Sequence, residues 1–367
     1  MNPPDLKTQF LQELCRFRPL AGADLAWSAE PGSLEWPAGH PAPDYVVDAR
    51  LPSGEPWKLV VEQSSTGFPR DVAMAASRLK NHLEAARGWY TGAVDGVILA
   101  DALSPDSRTR LQEAGLGYFD GGGSIFLWHE PGLWVQVDRP PPKRARARMR
   151  SMFAPAREQV VLALLLQKPD VWVSNEEIEA KSGATPSTVS ETLKALQQHG
   201  WLSSDVDGKR RMRRLAEPGK VLDAWAEARK ARRDLATSYY VWAPDQQALL
   251  KRVGHALQGV GFNWALTGPA AMNQIESHLT GVNDVTLSIP VGRREQVASL
   301  LGLGEAPEGS NVTLIERPGQ ADFQHGEVPS DVSLQLPSRF VLYSDLLAGK
   351  GRDKDAAAHL RKTRIGF

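Results

Sequence analysis

SNEEIEAKSGATPSTVSETLKALQQHGWL, residues 174–202, is the stretch whose reading decides the fold. Ser174 stands before an apolar-periodic run and Glu177 follows three residues later, the arrangement of a capping box, so a helix is expected over Asn175 to Lys181. Gly183 stops it. Thr185-Pro186 then opens a second helix that closes at Gly200, with Val189, Leu193 and Leu196 as its buried stripe. Ser187, Thr188, Ser190, Glu191 and Lys194 fall on the outward face, where the N-terminal half of a recognition helix meets base edges and phosphates.

The flanks extend the pattern. Arg157 to Lys168 reads as an amphipathic helix carrying Val160, Val161, Leu164 and Leu165. Downstream, Asp207-Gly208 between two strand-forming runs marks a hairpin. Its second strand holds Lys209, Arg210, Arg211, Arg213 and Arg214. Alternation puts Lys209, Arg211 and Arg213 on one side and Arg210 and Arg214 on the other. Three helices with a basic hairpin make a winged helix-turn-helix. Each cation that reaches a phosphate releases counterions, so binding to DNA should weaken steeply with salt.

Charge is distributed accordingly. The 367 residues carry no formal net charge, yet residues 1–139 hold 12 Lys and Arg against 18 Asp and Glu, and residues 140–233 hold 19 against 11. The basic middle points to an anionic partner or, alternatively, docks on its own acidic flanks. Pro140-Pro-Pro142 followed by Lys143, Arg144, Arg146, Arg148 and Arg150 reads as an exposed basic linker that adds to the DNA-binding set. The longest apolar run, Val160 to Leu166, is far short of a membrane span, and no signal peptide is read, so a cytoplasmic location is expected. The single cysteine, Cys15, excludes an intramolecular disulfide framework and is expected to lie buried on one face of a helix. The histidines show no ligand spacing, and neither a metal nor a cofactor is expected.

The chain divides into residues 1–139, a linker at 140–153, the winged helix at 154–233, and residues 234–367. The first region reads as α/β: strands at Asp44–Arg50, Trp57–Glu62 and Val94–Ala100, helices over Arg70–Gly88 and from Pro105, then strands at Gly117–Asp120 and Ser124–Trp128. The last reads as α+β, with helices over Pro244–Val260, Pro269–Leu279, Arg293–Leu301 and Arg352–Lys362 and strands at Asn263–Thr267, Val285–Ile289 and Asn311–Ile315. The fold class is thus α+β multidomain.

Three resemblances follow from these residues. Residues 174–202 resemble the winged helix of bacterial regulators of the MarR and AbiEi-antitoxin groups. The first region resembles the PD-(D/E)xK nuclease fold, an α/β restriction-endonuclease-like domain, with Asp48 ending one strand and Glu62 the next. The lysine expected two positions after Glu62 is Ser64, so the domain reads as degenerate. The last region, through WALTGPAAMNQ, DVTLSIP, LGLGEAPEGSNVTLIE and VLYSDLLAGKGRDKDAAAHLRK, resembles the nucleotidyltransferase-like C-terminal domain of AbiEi-type antitoxins. There Gly268-Pro269 stands for the phosphate-holding Gly-Ser, and Asp284-Val285-Thr286 lacks the second carboxylate of the metal-binding pair. Asp48, Glu62 and Asp284 are therefore vestigial candidates. The resemblance implies a non-enzymatic transcriptional regulator, antitoxin-like or controlling a mobile element, that binds double-stranded DNA. It also implies a protein partner, either a toxin or a replication or transfer protein, and a homodimer is common among such regulators. The alternative is a Mg²⁺-dependent nuclease or nucleotidyltransferase targeted by the winged helix, using Asp48 and Glu62, or Asp284 with a carboxylate such as Asp331.

Overall fold

The computed structural model describes residues 5–17, 26–28, 36, 40–51, 53–64, 66–130, 132–207, 210–277, 279–306, 308–324, 326 and 333–367. The chain forms two compact units, Met1–Arg148 with Gln198–Gly200 and Met149–Gln197 with Trp201–Phe367.

The first unit is built on one seven-stranded sheet whose spatial order follows the chain. Its elements are α1 (Leu6–Arg16), β1 (Ala26–Ser28), β2 (Tyr45–Arg50), β3 (Pro56–Gln63), α2 (Pro69–Arg87), β4 (Ala93–Ala100), α3 (Pro105–Glu113), β5 (Gly117–Asp120), β6 (Ile125–His129) and β7 (Leu133–Val137). β3, β4 and β5 run parallel, and the outer pairings are antiparallel. Strand alternation divides the apolar residues between two cores. Leu59, Val61, Val97 and Leu99 meet Phe10 and Leu14 of α1 on one face, while Val60 and Ile98 meet Val72, Leu79 and Leu83 of α2 on the other. Ser104 caps α3 ahead of Pro105, as its sequence leads one to expect. Cys15 is exposed, contrary to expectation, because Phe10, Glu13 and Leu14 define the buried side of α1.

Helix α4 (Lys143–Met152) takes the place of the exposed linker expected over the basic run. Arginine and alanine are strong helix formers, and their propensity outweighs the repulsion between neighbouring cations. The prolines end at 142, ahead of the first helical residue, where they obstruct no ladder.

In the second unit follow α5 (Pro155–Leu165), β8 (Val173–Ser174), α6 (Asn175–Ser182), α7 (Pro186–Gln198), β9 (Leu202–Asp207), β10 (Arg210–Leu215), α8 (Pro218–Lys230), β11 (Leu235–Tyr240), α9 (Gln246–Ala256), β12 (Ala265–Thr267), α10 (Gly268–Ile275), β13 (Val285–Pro290), α11 (Arg294–Leu301), β14 (Gly304–Glu305) and β15 (Val312–Arg317). A 3-10 turn at Gln320–Phe323, α12 (Arg339–Ala348), α13 (Asp353–Leu360) and a π turn at Arg361–Ile365 complete it. β8, β10 and β9 form a small antiparallel sheet beside α5, α6 and α7. A second sheet has the order β12-β13-β15-β11-β14, with β13 and β15 parallel. One continuous apolar core runs from Val160 and Leu164 of α5 through Leu193 and Leu196 of α7 to Trp225, Leu266, Leu287 and Phe340.

A charged cluster is buried within this unit. Glu158 of α5 accepts from Trp225 Nε1 (2.9 Å) and from Arg232 Nη1 (3.0 Å), both on the α8 side. Arg229 donates to Asp322 (2.6 Å) and to Asp345 of α12 (3.1 Å). Arg317 of β15 reaches Asp345 (2.8 Å) and pairs with Asp234, which also holds Arg232. Thr267 donates to Asp345 (2.7 Å). Burial alone would raise the Asp345 carboxyl, but Arg317 and Arg229 hold it below the usual aspartate value. A depressed folded value contributes stability that is present above the unfolded value of 3.8 and lost as pH falls through the folded one. Asp345→Asn is expected to lower stability at neutral pH and to flatten the loss of stability on acidification below pH 3.8, read by urea unfolding across a pH series. An acid slope as steep as wild type would show that this pair does not contribute.

Candidate nucleic-acid interface

The helix pair at 174–198 is positioned by local chemistry. The Ser174 hydroxyl accepts from the Glu177 main-chain N–H (3.2 Å), and the Glu177 carboxylate accepts from the Ser174 N–H (2.7 Å), so the capping box is closed. The same helix terminus holds the Glu176 carboxyl below the ordinary glutamate value through main-chain and Ser174 hydrogen bonds. Gly183 ends α6 at φ +64°, a left-handed cap that a β-branched residue would resist. Thr185 Oγ1 then accepts from the Thr188 N–H (3.3 Å) at the start of α7.

On α7, Val189, Thr192, Leu193 and Leu196 are buried, leaving one polar stripe in solvent. Ser187, Ser190 and Lys194 are exposed on it, spaced as neighbours on one helical face. Thr188 is half-buried, its hydroxyl shared with Thr185 (2.9 Å). Glu191 is exposed and paired with Arg157 of α5. That pair offsets an acidic charge that would otherwise repel a phosphate, and nothing in the local sequence announced it.

The hairpin strands pair with Arg210 opposite Asp207 and Arg211 opposite Val206. Its basic residues split into three kinds. Arg210 and Arg211 are exposed. Arg214 is half-buried and stacks over the Trp172 ring at 4.8 Å. Arg213 is only 8% exposed and bonds to Asn175 Oδ1 (3.3 Å) and to Ser204, so it fastens the hairpin to α6 instead of facing out beside Arg211. Simple alternation missed this because the inner face of the hairpin lies against α6, and an arginine stem fills that space. Lys209 lies outside the described residues, as do the side chains of Arg144, Arg146, Arg148 and Arg150 on α4. Lys143, at the start of α4, is exposed.

The carboxylates suggested by the nuclease resemblance do not meet. Antiparallel register sets Asp48 opposite Lys58, and the two side chains pair. Glu62 lies four residues further along β3, roughly 13 Å at ~3.3 Å per residue, too far for one metal ion to bridge both carboxylates directly. Glu62 is buried between Arg78 Nε (2.9 Å) and His82 Nε2 (3.1 Å) on α2. Ser64, in the lysine position, is buried and donates to the Thr66 carbonyl. Asp284 is exposed just ahead of β13, with Thr286 in place of a second carboxylate, and Asp331 lies outside the described residues. Among the described residues no group of three His, Cys, Asp or Glu is placed to hold a metal ion. No helix among them is long and apolar enough to cross a membrane.

Residues 214–365 match the family described as transcriptional regulator, AbiEi antitoxin, Type IV TA system. Among solved structures, a possible transcriptional regulatory protein (fragment 1–100) from Mycobacterium bovis is 23% identical. The match covers 24% of this chain and 97% of that one, at a TM-score of 0.18. A repair endonuclease from Pyrococcus abyssi is 14% identical over 33% of this chain and 48% of its own, at a TM-score of 0.22. No curated protein matches the chain.

Arg213→Ala removes an anchor between hairpin and helix and should lower stability by about 2 kcal/mol, the size of charge-assisted hydrogen bonds lost in a buried setting. Arg211→Ala, at an exposed position, should leave the thermal midpoint unchanged. Equal midpoints for both variants would refute the division of labour between the two arginines.

Proposed function

We propose that the chain is a DNA-binding transcriptional regulator of the antitoxin type, with α5 to β10 acting as a winged helix-turn-helix. The observation that carries this reading is the exposed stripe of Ser187, Ser190 and Lys194 on α7, presented in the same unit as the exposed pair Arg210 and Arg211 on the hairpin. Short hydroxyl groups toward the start of a helix, with an ammonium group further along the same face, suit base edges and phosphates in a major groove. Arginines on a hairpin suit the flanking backbone. Thr188 contributes from the rim of the stripe. Lys209 and the basic residues of α4, Lys143, Arg144, Arg146, Arg148 and Arg150, add long-range attraction for the duplex in this reading.

In the same reading residues 154–233 hold the DNA, residues 234–367 form a nucleotidyltransferase-like module that meets a protein partner, and residues 1–139 form a nuclease-like frame without catalysis. The AbiEi description of residues 214–365 supports a regulatory role and a toxin as the partner. Arg213 and Arg214 support the hairpin from within and touch no DNA. A cytoplasmic location belongs to this reading.

Three measurements test it. Arg210→Ala with Arg211→Ala should weaken binding to all duplexes alike and reduce the salt slope by roughly 2, one phosphate contact for each arginine. Ser187→Ala and Ser190→Ala should instead change preference among sequences, read by competition between a fragment from the gene's own upstream region and random DNA. An unchanged salt slope in the arginine double variant rejects the hairpin as a backbone contact. Supercoiled plasmid with Mg²⁺ or Mn²⁺ should stay intact. Cleavage that disappears on Glu62→Ala would replace the regulatory reading with a nuclease.

A further inference from the structure

The sheets of this protein treat their edges unequally. Among the described residues three sheets have six edge strands. β1 and β12 are three residues long, and β8 and β14 are two. β9 is longer but carries Asp205 and Asp207. Shortness and charge are the usual ways a monomer prevents strand pairing with its neighbours. β7 uses neither. Leu133-Trp-Val-Gln-Val137 is five residues without a charge, and among the described residues it is bonded to β6 on one side only. The main chain of Leu133–Val137 makes no hydrogen bond to any other described residue beyond β6.

Its side chains are arranged to be covered as well. Leu133, Val135 and Val137 join the core on the α1 face of the sheet. On the other face Trp134 leans edge-on against Phe126 at 5.0 Å, yet 68% of it remains exposed. A tryptophan this exposed on an uncharged strand edge has the chemistry of an interface anchor.

We propose that two copies of this chain pair antiparallel through β7, joining their seven-stranded sheets into one. A second copy fits because the edge is self-complementary. A two-fold axis at Val135 sets Leu133 opposite Val137 and Trp134 opposite Gln136, and each ladder group finds its counterpart in the same strand of the other chain. The rows of Leu133, Val135 and Val137 then merge into one apolar strip. On the opposite face each Trp134 lies over Gln136 of the other copy, with the two indoles on the diagonal within reach of each other. The strand has no charge to match or to repel, so the interface imposes no sign on its partner.

Sedimentation of the full chain over a concentration series tests this without DNA. Wild type should show a reversible dimer. Trp134→Lys and, separately, Gln136→Lys should each weaken association by roughly tenfold or more, since a lysine on the strand edge disfavours pairing. Trp242→Lys, at a tryptophan 71% exposed in the other unit, should leave association unchanged. Amide exchange of wild type should slow at Leu133–Val137 as the dimer fills, a readout that depends on no variant. A wild-type monomer throughout, a dimer indifferent to both β7 lysines, a dimer lost on Trp242→Lys, or β7 exchange independent of concentration would each overturn the proposal.

Discussion

One buried set of charges joins the two ends of the second unit. Three guanidinium groups, Arg229, Arg232 and Arg317, meet the carboxylates of Glu158, Asp234, Asp322 and Asp345 in near-absence of water. Removing ions from water costs several kcal/mol apiece, so such a cluster is weak evidence of stability. What it fixes is geometry. Arginine does not deprotonate in a protein, so each guanidinium demands its partners at set positions and directions. Those partners come from α5, α12, the 3-10 turn and the residue ahead of β11. Apolar contacts would tolerate a helix sliding by a fraction of a turn, whereas Glu158 held by Trp225 and Arg232 does not. α5 packs against α6 and pairs with α7 through Arg157 and Glu191, and α6 receives the hairpin through Asn175 and Arg213. The orientation of the polar stripe on α7 is thus referred, step by step, to a cluster built largely from the C-terminal half.

Arg210, Arg213, Arg229 and Arg232 all belong to the cationic excess of residues 140–233. Burial separates them. Arg229 and Arg232 answer carboxylates inside the unit, Arg213 and Arg214 hold the hairpin, and Arg210 and Arg211 stand in solvent. Part of the excess therefore does dock on the chain's own acids, namely Asp322 and Asp345, as the alternative to an anionic partner required. Glu158 shows the converse, an acid in the basic segment consumed by arginines of the same segment.

Features decided within a few residues were legible. The Ser174–Glu177 box, the stop at Gly183, the cap at Ser104 and the presence of the hairpin all follow from near neighbours, although Asp207 lies in β9 opposite Arg210 and not in the expected Asp207-Gly208 turn. The strands at 45–50, 56–63 and 93–100 and the long helix at 69–87 also appear near their expected bounds. Features decided by distant partners were not legible. β11, with its Thr-Ser-Tyr-Tyr run, has no apolar alternation to announce a strand, yet it lies between β15 and β14. α12 is buried on most sides, so RFVLYSDLLA shows no clean amphipathic stripe. β7 was missed because a short edge strand with one exposed tryptophan resembles a loop. The register that sets Asp48 against Lys58 is invisible in sequence, since it is fixed by how β2 and β3 slide to bury Val47 and Leu59 together.

That register carries the argument about catalysis further than the missing lysine does. Replacing a lysine by Ser64 removes one helper, and a neighbouring side chain can substitute for it. Separating two carboxylates along a strand removes the shared coordination itself. A hard divalent cation binds where several oxygens are held together with their charge uncompensated. Here Asp48 is compensated by Lys58, and Glu62 by Arg78 with His82, at the positions where the sequence suggested a metal pair. Restoring Lys at position 64 would leave both pairings and the roughly 13 Å offset untouched. In the fold, Glu62 ties the end of β3 to α2, and Asp48 ties β2 to β3 through Lys58.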